Sequence, residues 1–523
     1  MNVRRFGSVM AVMAVLLSLM ISCNKGSGGG KAAAKKVLNV GISENVITLD
    51  PHHANNLPGY LLSQCVFEYL VFSDHAGNYS PMLATEWSYN DSGTEITFKL
   101  RQGVKFHNGE DFNADDVVCS YQRLIDRRNE LVFGGQYWST LKAVEKLDDY
   151  TVKLVMMEPY APLLSGVSQT AIIPDQAYKE KGDALFHDQI MYGTGPWVFI
   201  EWIDGQYFHV KKNPNYWNKQ KYDPYIEELY VRHVLEGSTA VAGHLSGDLD
   251  AYFASGGINV DLLPLYKGTE KKIELYTMDT GAYQYLGFQC KEGSVFNDIN
   301  VRKAFDYAID RESIVKNVFG GGIVPASIIV EGTIGYNPNI PAPRYDPEES
   351  KSLLAASGYR GQPIELSSHT STLKAEEALL AVSDMVNQVG FNTHVNVVEN
   401  AVLGQMRATG NYDLYMVTVM HNDGDPSNML TMRVMLDTMS SNYHNPKLND
   451  LLTRSNKEVN KPAREKLLQE AGMLMYEEHA PHVPFVQLQA TYAYNKGVKG
   501  MEFFLDGNFR TCYVDFDPAL AAK

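Results

Sequence analysis

The stretch Ala84 to Val118, ATEWSYNDSGTEITFKLRQGVKFHNGEDFNADDVV, decides how this chain is read. Ile96, Phe98 and Leu100 alternate with Glu95, Thr97 and Lys99, the period-two pattern of a strand with one buried face. Asn108-Gly109 is a turn dipeptide. Asn113 then stands where a helix cap belongs, Asp115 and Asp116 put negative charge in the first turn, and Val117, Tyr121, Leu124 and Ile125 share one face. A strand, a turn and a capped helix in this order predict a mixed α/β fold.

The N-terminal end says where the chain works. Arg4 and Arg5 form a basic start, Val9 to Ile21 an apolar run shorter than the roughly 20 residues of a membrane helix, and Ser22-Cys23 a small-residue ending. The ending LMISC is similar to a bacterial lipobox, so residues 1–23 are expected to be a lipoprotein signal peptide with Cys23 as the lipidated residue. Residues 24–36, NKGSGGGKAAAKK, offer nothing to nucleate a core and are expected to be a flexible linker. The 523 residues suggest several domains. A net charge of −15, with no basic cluster beyond the linker, argues against a nucleic-acid partner. Cys65, Cys119, Cys290 and Cys512 lack C-x-x-C spacing, so no metal site and no disulfide is assigned. The G-x-S-x-G, H-E-x-x-H and phosphate-loop patterns are all missing, which argues against an enzyme, and no cofactor is expected.

Further along, Val37 to Ile42 reads as a buried strand, and Leu49-Asp50-Pro51 opens an irregular stretch leading to a helix over Tyr60 to Leu70. Strands are expected at Thr151 to Met156 and at Gln206 to Val210, the latter entered through an Asp204-Gly205 hairpin. Val301, Ala304, Phe305, Ala308 and Ile309 share one helical face, with Asp310 capping the next helix. Asp346-Pro347-Glu348-Glu349 starts another helix that Gly358 ends, and Ala378, Val382, Met385 and Val389 mark a third that stops at Gly390.

In sequence order these segments resemble the peptide/nickel (family 5) solute-binding proteins of bacterial ABC importers. The likeness is carried by Lys99-Leu100-Arg101, Gly103 to Gly109, Gly193-Thr194-Gly195-Pro196, Asn213 with Tyr216-Trp217, Val301-Arg302 through Asp310-Arg311, Tyr345 to Tyr359, and Asp425-Pro426. It implies an α/β, two-lobed periplasmic-binding-protein fold of type II with an extra domain inserted in the first lobe. The first lobe would comprise residues 37–78, 190–275 and 488–523, the inserted domain 79–189, and the second lobe 276–487. The resemblance further implies a lipid-anchored, monomeric receptor in the periplasm or on the outer face of the cell membrane. It would capture a peptide, in the first instance an oligopeptide, between its lobes and deliver it to an ABC permease.

In peptide-binding members an extended ligand adds as a strand just before the Asp-Pro pair, which implies backbone pairing by Thr418, Met420 and Asn422. An aspartate four residues before that proline takes the ligand's ammonium group. This sequence has Asn422 there, with Asp423 and Asp425 beside it. Dipeptide binders hold the ligand carboxylate with an arginine upstream of the helix that here ends at Gly390, whereas Ser367 to Lys374 offers only His369 and Lys374. Strict dipeptide specificity is therefore not expected. His421 corresponds to the nickel- and haem-binding possibility, and Trp138 with Trp202 to stacking on a sugar. The candidate ligand-binding set is Thr418, Met420, His421, Asn422, Asp423, Asp425, His369 and Trp138. Binding of an oligosaccharide or a nickel or haem complex on the same fold is one alternative, and a surface hydrolase or adhesin another.

Overall fold

The computed structural model describes residues 36–54, 56–74, 78–254, 256–420, 424–431, 441–503 and 509–520. The early strands are β1 (Val37–Ile42), β2 (Val71–Ser73), β3 (Tyr79–Pro81), β4 (Ala84–Tyr89), β5 (Glu95–Leu100), β6 (Leu141–Asp148) and β7 (Thr151–Met156). They are followed by β8 (Trp197–Ile203), β9 (Tyr207–Lys212), β10 (Glu228–His233), β11 (Ala251–Phe253) and β12 (Ile273–Phe288). The last four of the large sheet are β13 (Ile364–His369), β14 (Thr393–Val398), β15 (Leu414–Met420) and β16 (His482–Asn495). A ten-stranded sheet has the order β14-β13-β15-β12-β16-β11-β1-β10-β9-β8, and a separate four-stranded sheet the order β4-β5-β7-β6.

The long strands β12 and β16 join the two halves of the large sheet. Residues 273–279 of β12 pair with 489–495 of β16 in the β1 half, and residues 283–287 pair with 482–487 in the β15 half. Between Asp279 and Tyr283 the register shifts. Side chains replace the missing ladder bonds there: Thr280 Oγ1 donates to the Leu488 carbonyl at 2.8 Å and Gln487 Nε2 to the Thr280 carbonyl at 2.7 Å. Apolar clusters follow this division. One unites β1, β8–β11 and the 510–516 segment, two cover opposite faces of the β15 half, and a fourth fills the four-stranded sheet.

Local expectations are met where a cap or a period-two pattern carried them. In β5, Ile96, Phe98 and Leu100 are buried. Asn113 caps the helix Ala114–Asp126 through the N–H of Asp115, and Asp116 accepts the N–H of Asn113 in return. Asp310 and Asp346 likewise cap their helices. Two boundaries differ. The helix expected over Tyr60 to Leu70 runs Leu57–Val66, because Asn56 accepts the N–H of Gly59 and Pro58 suits the first turn, while Phe67 is already extended. The strand expected from Gln206 begins at Tyr207, since Gln206 closes the hairpin by donating to the Ile203 carbonyl.

Four of the segments that carried the resemblance, 99–101, 103–109, 193–196 and 213–217, meet at the seam between the four-stranded sheet and the β1 half. Gly193 and Gly195 lie against the backbone of Cys65 and Val66, so close that a Cβ on Gly193 would sit 1.9 Å from the Val66 carbonyl oxygen. His107 donates its backbone N–H to Gly193 O at 2.9 Å, and its Nε2 lies 2.9 Å from Gly195 O. Asn213 Nδ2 donates to the same Gly195 carbonyl at 3.0 Å. Beside them the buried carboxylate of Glu68 accepts from Thr194 Oγ1 (2.8 Å), Tyr216 O–H (2.9 Å) and Trp217 Nε1 (2.6 Å). Arg101 stacks on the Trp217 ring at 4.5 Å. Burial raises the Glu68 pKa, against those three hydrogen bonds, to about 7.

A second clamp ties the 49–52 segment to the same domain. Arg123, buried on the helix Ala114–Asp126, donates to both oxygens of Asp50, to Asp183 and to Nδ1 of His52, whose Nε2 lies 2.8 Å from the Ala171 carbonyl. Burial first, and then the Arg123 charge, lowers the His52 pKa to about 4, so this histidine is a neutral structural link.

Candidate ligand-binding site

Strand β15 is paired on one side only for most of its length. Against β12 it is continuous, from Leu414 opposite Phe288 to Met420 opposite Ala282. On the other side β13 meets it at Leu414 and Tyr415 and then diverges, with Ser368 Oγ donating to the Met416 carbonyl at 2.7 Å. Among the described residues, no strand covers that edge from Val417 to Met420. Thr418 and Met420 thus lie on a free strand edge, a template for main-chain pairing.

The 369–374 turn closes the region beside this edge. Gln284, opposite Thr418, donates Nε2 to the Leu373 carbonyl at 2.8 Å and lies 3.4 Å from Thr418 Oγ1. His369 Nε2 pairs with Thr372 Oγ1 at 3.1 Å. His369 Nδ1 and Gln284 Oε1 are buried without a hydrogen-bond partner. Burial, and secondarily the charge of Arg407, lowers the His369 pKa, leaving a neutral ring at pH 7. Unpaired buried polar atoms next to an open strand edge are groups that a bound chain would satisfy.

Beyond β15 the chain turns at Asp425-Pro426. Arg464 donates Nη1 and Nη2 to the two Asp425 oxygens at 2.6 and 2.8 Å, its Nε donates to the Ser455 carbonyl, and the Ser427 N–H donates to Asp425 Oδ1 at 2.9 Å. Burial alone would raise the Asp425 pKa, but the Arg464 charge and hydrogen bonds outweigh it and hold the carboxyl below its ordinary value. Asp425 therefore positions the loop at the end of β15. The same pair borders a cavity of about 540 Å³ between the four-stranded domain, with Tyr79, Trp87 and Tyr89, and the β15 half, with Ile334, Val459 and Lys461. Its volume is that of a small-ligand site. Contacts across it include Ala161 N–H to the Asn456 carbonyl at 2.7 Å and Lys457 to Glu158 at 2.7 Å.

Of the residues singled out in the sequence, Thr418, Met420 and His369 come together, and Asp425 follows them on the loop. Trp138 does not join them. It is fully buried in the four-stranded domain, edge-on to Tyr121 at 4.9 Å, with Nε1 donating to Thr170 Oγ1 at 2.8 Å, so its expected stacking on a ligand is corrected to core packing. Tyr283 and Tyr285 are buried in the same way. His421, Asn422 and Asp423 lie outside the described residues, as does Cys23. No group of three metal-binding side chains occurs among the described residues. Sequence reasoning missed Glu68, Arg123, Arg407 and Arg464. Two of them carried a signal: Arg407 stands four residues after Leu403 on the apolar face of the helix Asn400–Thr409, and Arg464 four residues before Leu468 on that of the helix Lys461–Glu477.

A large sheet whose halves share two long strands, with an open strand edge and an adjacent cavity, is the architecture of a two-lobed periplasmic solute-binding protein. The chain belongs to the bacterial extracellular solute-binding proteins of family 5, whose middle-region model matches residues 78–438. It is 26% identical to the glutathione-binding protein GsiB of Escherichia coli strain K12 over 524 residues, covering 96% of this chain and 97% of that one. Among solved structures, HbpA2 from Haemophilus parasuis matches with a TM-score of 0.82 and 25% identity over 92% of this chain and 99% of that one. The binding protein DppA from Helicobacter pylori, in complex with the peptide STSA, matches with a TM-score of 0.71 and 22% identity over 92% and 98% of the two chains. Among the described residues, no helix is long and apolar enough to cross a membrane.

Proposed function

We propose that this protein is the substrate-binding component of an ABC importer, held outside the cytoplasm by a lipid on Cys23, and that its substrate is a peptide. The observation that carries this reading is the free edge of β15 from Val417 to Met420, because an extended peptide adding there gains main-chain hydrogen bonds whatever its side chains. Thr418 and Met420 supply the edge, His369 Nδ1 and Gln284 Oε1 supply unpaired polar atoms, and the cavity beside Asp425 has room for side chains. Asn422 and Asp423 follow β15 directly in sequence and are assigned the ligand's ammonium end. That glutathione and a tetrapeptide are the ligands named for GsiB and DppA supports a peptide of a few residues.

The lobes are taken as residues 37–78, 190–275 and 488–523 against 276–487, with 79–189 inserted; the apolar clusters support the division between the lobes, while Ala171, Ile173, Ala177, Leu185 and Phe186 of the inserted segment pack in the first-lobe core. Closure would bend the molecule at the register shift between Asp279 and Tyr283. The protein works as a monomer with a permease as its partner. Native mass spectrometry of the mature protein, with fragmentation of whatever it releases, tests the ligand class. Short peptides are expected. A single carbohydrate or metal-chelate mass, with no binding of added peptides, would refute the reading.

A further inference from the structure

The four-stranded domain reaches from one lobe to the other. At the end of its sheet where β4 begins and β5 finishes, Ala84 donates its N–H to the Leu70 carbonyl at 2.8 Å and Arg101 to the Leu83 carbonyl at 2.8 Å, beside the Glu68 seam. Ala171, Ile173, Ala177, Leu185 and Phe186 carry the same attachment into the first-lobe core. This buried attachment makes the domain move with the first lobe. From there the six residues of β5 span about 20 Å to the opposite end of the sheet.

That far end touches the second lobe. The turn from Asn90 to Thr94 joins β4 to β5, residues 158–161 lead away from β7, and both meet the 456–461 connection between the helices Pro446–Lys457 and Lys461–Glu477. Ala161 donates its N–H to the Asn456 carbonyl at 2.7 Å, and Lys457 pairs with Glu158 at 2.7 Å. Val459 fills the space over Gly93, where a Cβ would lie 3.2 Å from its Cγ1. Both surfaces are preformed. Asn90 Oδ1 accepts the N–H groups of Thr94 and Glu95, while Asn460 caps its helix through the Ala463 N–H and donates its own N–H to Glu458 Oε1. Lys457 and Glu158 keep about half of their exposure, 47% and 52%, so this contact is far weaker than the seam and is the one that lobe opening breaks.

We propose, on the two-lobed receptor reading, that the inserted domain is a strut fixed to the first lobe, and that its far end latches the second lobe in the closed state through Glu158, Ala161, Lys457 and Val459. These residues govern affinity without recognising the ligand. Glu158 and Lys457 do not line the cavity beside Asp425, so loosening them lowers the population of closed protein and weakens every ligand by one common factor.

Calorimetry and stopped-flow release of glutathione and of the peptide Ser-Thr-Ser-Ala from the mature protein test this. Glu158→Lys and Lys457→Glu should each weaken both ligands by the same factor, roughly five-fold, through faster release, and the two substitutions together should restore the wild-type values. A second measurement needs no ligand. Gly93→Cys combined with Val459→Cys brings two thiols within disulfide reach, so oxidation with copper phenanthroline should link the two bodies and reduce the radius of gyration in solution scattering relative to the reduced form. Unchanged affinity and release in both charge variants would overturn the proposal. So would unequal factors for the two ligands, which would put these side chains on the ligand, or the absence of a cross-link in the folded double-cysteine variant. Should neither ligand bind the wild type, the peptide reading fails, and the cross-link with its scattering change decides the latch alone.

Discussion

Replacing Asp425 by alanine separates a loop-positioning role from a ligand-contacting one. The carboxylate and its partner Arg464 have side-chain exposures of 9% and 7%, and two N–H donors reach it at 2.6 and 2.8 Å. Removing one member of such a pair strands the other charge in the core, at a cost of about 3–5 kcal/mol. Loss of the Ser427 N–H partner adds about 1 kcal/mol. Asp425→Ala should therefore lose about 4 kcal/mol or more in urea unfolding followed by circular dichroism. Asp425→Ala combined with Arg464→Met should recover more than half of that, since no buried charge is left unpaired. Peptide affinity, measured by calorimetry well below the unfolding midpoint, should fall far less than stability does. If Asp425→Ala instead costs under about 1 kcal/mol while peptide binding is lost, the carboxylate touches the ligand and this reasoning fails.

Other outcomes follow from the seam and the core. Folded Glu68 holds its proton up to about 7, against an ordinary value of 4.5, so between these values the folded state binds more protons than the unfolded one. Stability should accordingly fall as pH rises from 4.5 to about 7, by on the order of 3 kcal/mol from this group, and Glu68→Gln should flatten that part of the pH profile in denaturant titrations. Gly193→Ala would drive a Cβ onto the Val66 carbonyl and should cost more than about 4 kcal/mol, read as lost soluble yield or a collapsed melting temperature. Trp138→Phe removes the Thr170 hydrogen bond and part of a packed ring, so it should cost about 2 kcal/mol in the same unfolding assay and leave peptide affinity unchanged.

Much of the scaffold was legible because local chemistry wrote it. The alternation in Glu95 to Leu100 and the caps Asn113, Asp310 and Asp346 are decided within a few residues, and the structure repeats them. The order of Gly193-Thr194-Gly195-Pro196, Asn213 and Tyr216-Trp217 marked the family without disclosing why those residues are needed. For Gly193 to Gly195 and for Tyr216-Trp217 the reason lies in partners more than a hundred positions away, Glu68 and the Cys65–Val66 backbone, while Asn213 holds the Gly195 carbonyl of that same turn.

The ligand site was legible only as a place in the chain. Thr418 and Met420 could be named from their distance to Asp425-Pro426, but that β13 leaves β15 after Tyr415, and that His369 turns an unpaired nitrogen into the same region, depends on the path of separate strands. Trp138 shows the opposite error. An aromatic ring reads alike in a cleft or a core, and burial, a property of the whole packed chain, assigns this one to the core. Sequence alone determined the class of fold, the helix caps and the alternating strands, because periodicity and capping act over one or two turns of chain. Tertiary structure decided which charges are buried, which pair with each other and which strand edge stays open, because desolvation and strand pairing exist only once distant segments meet.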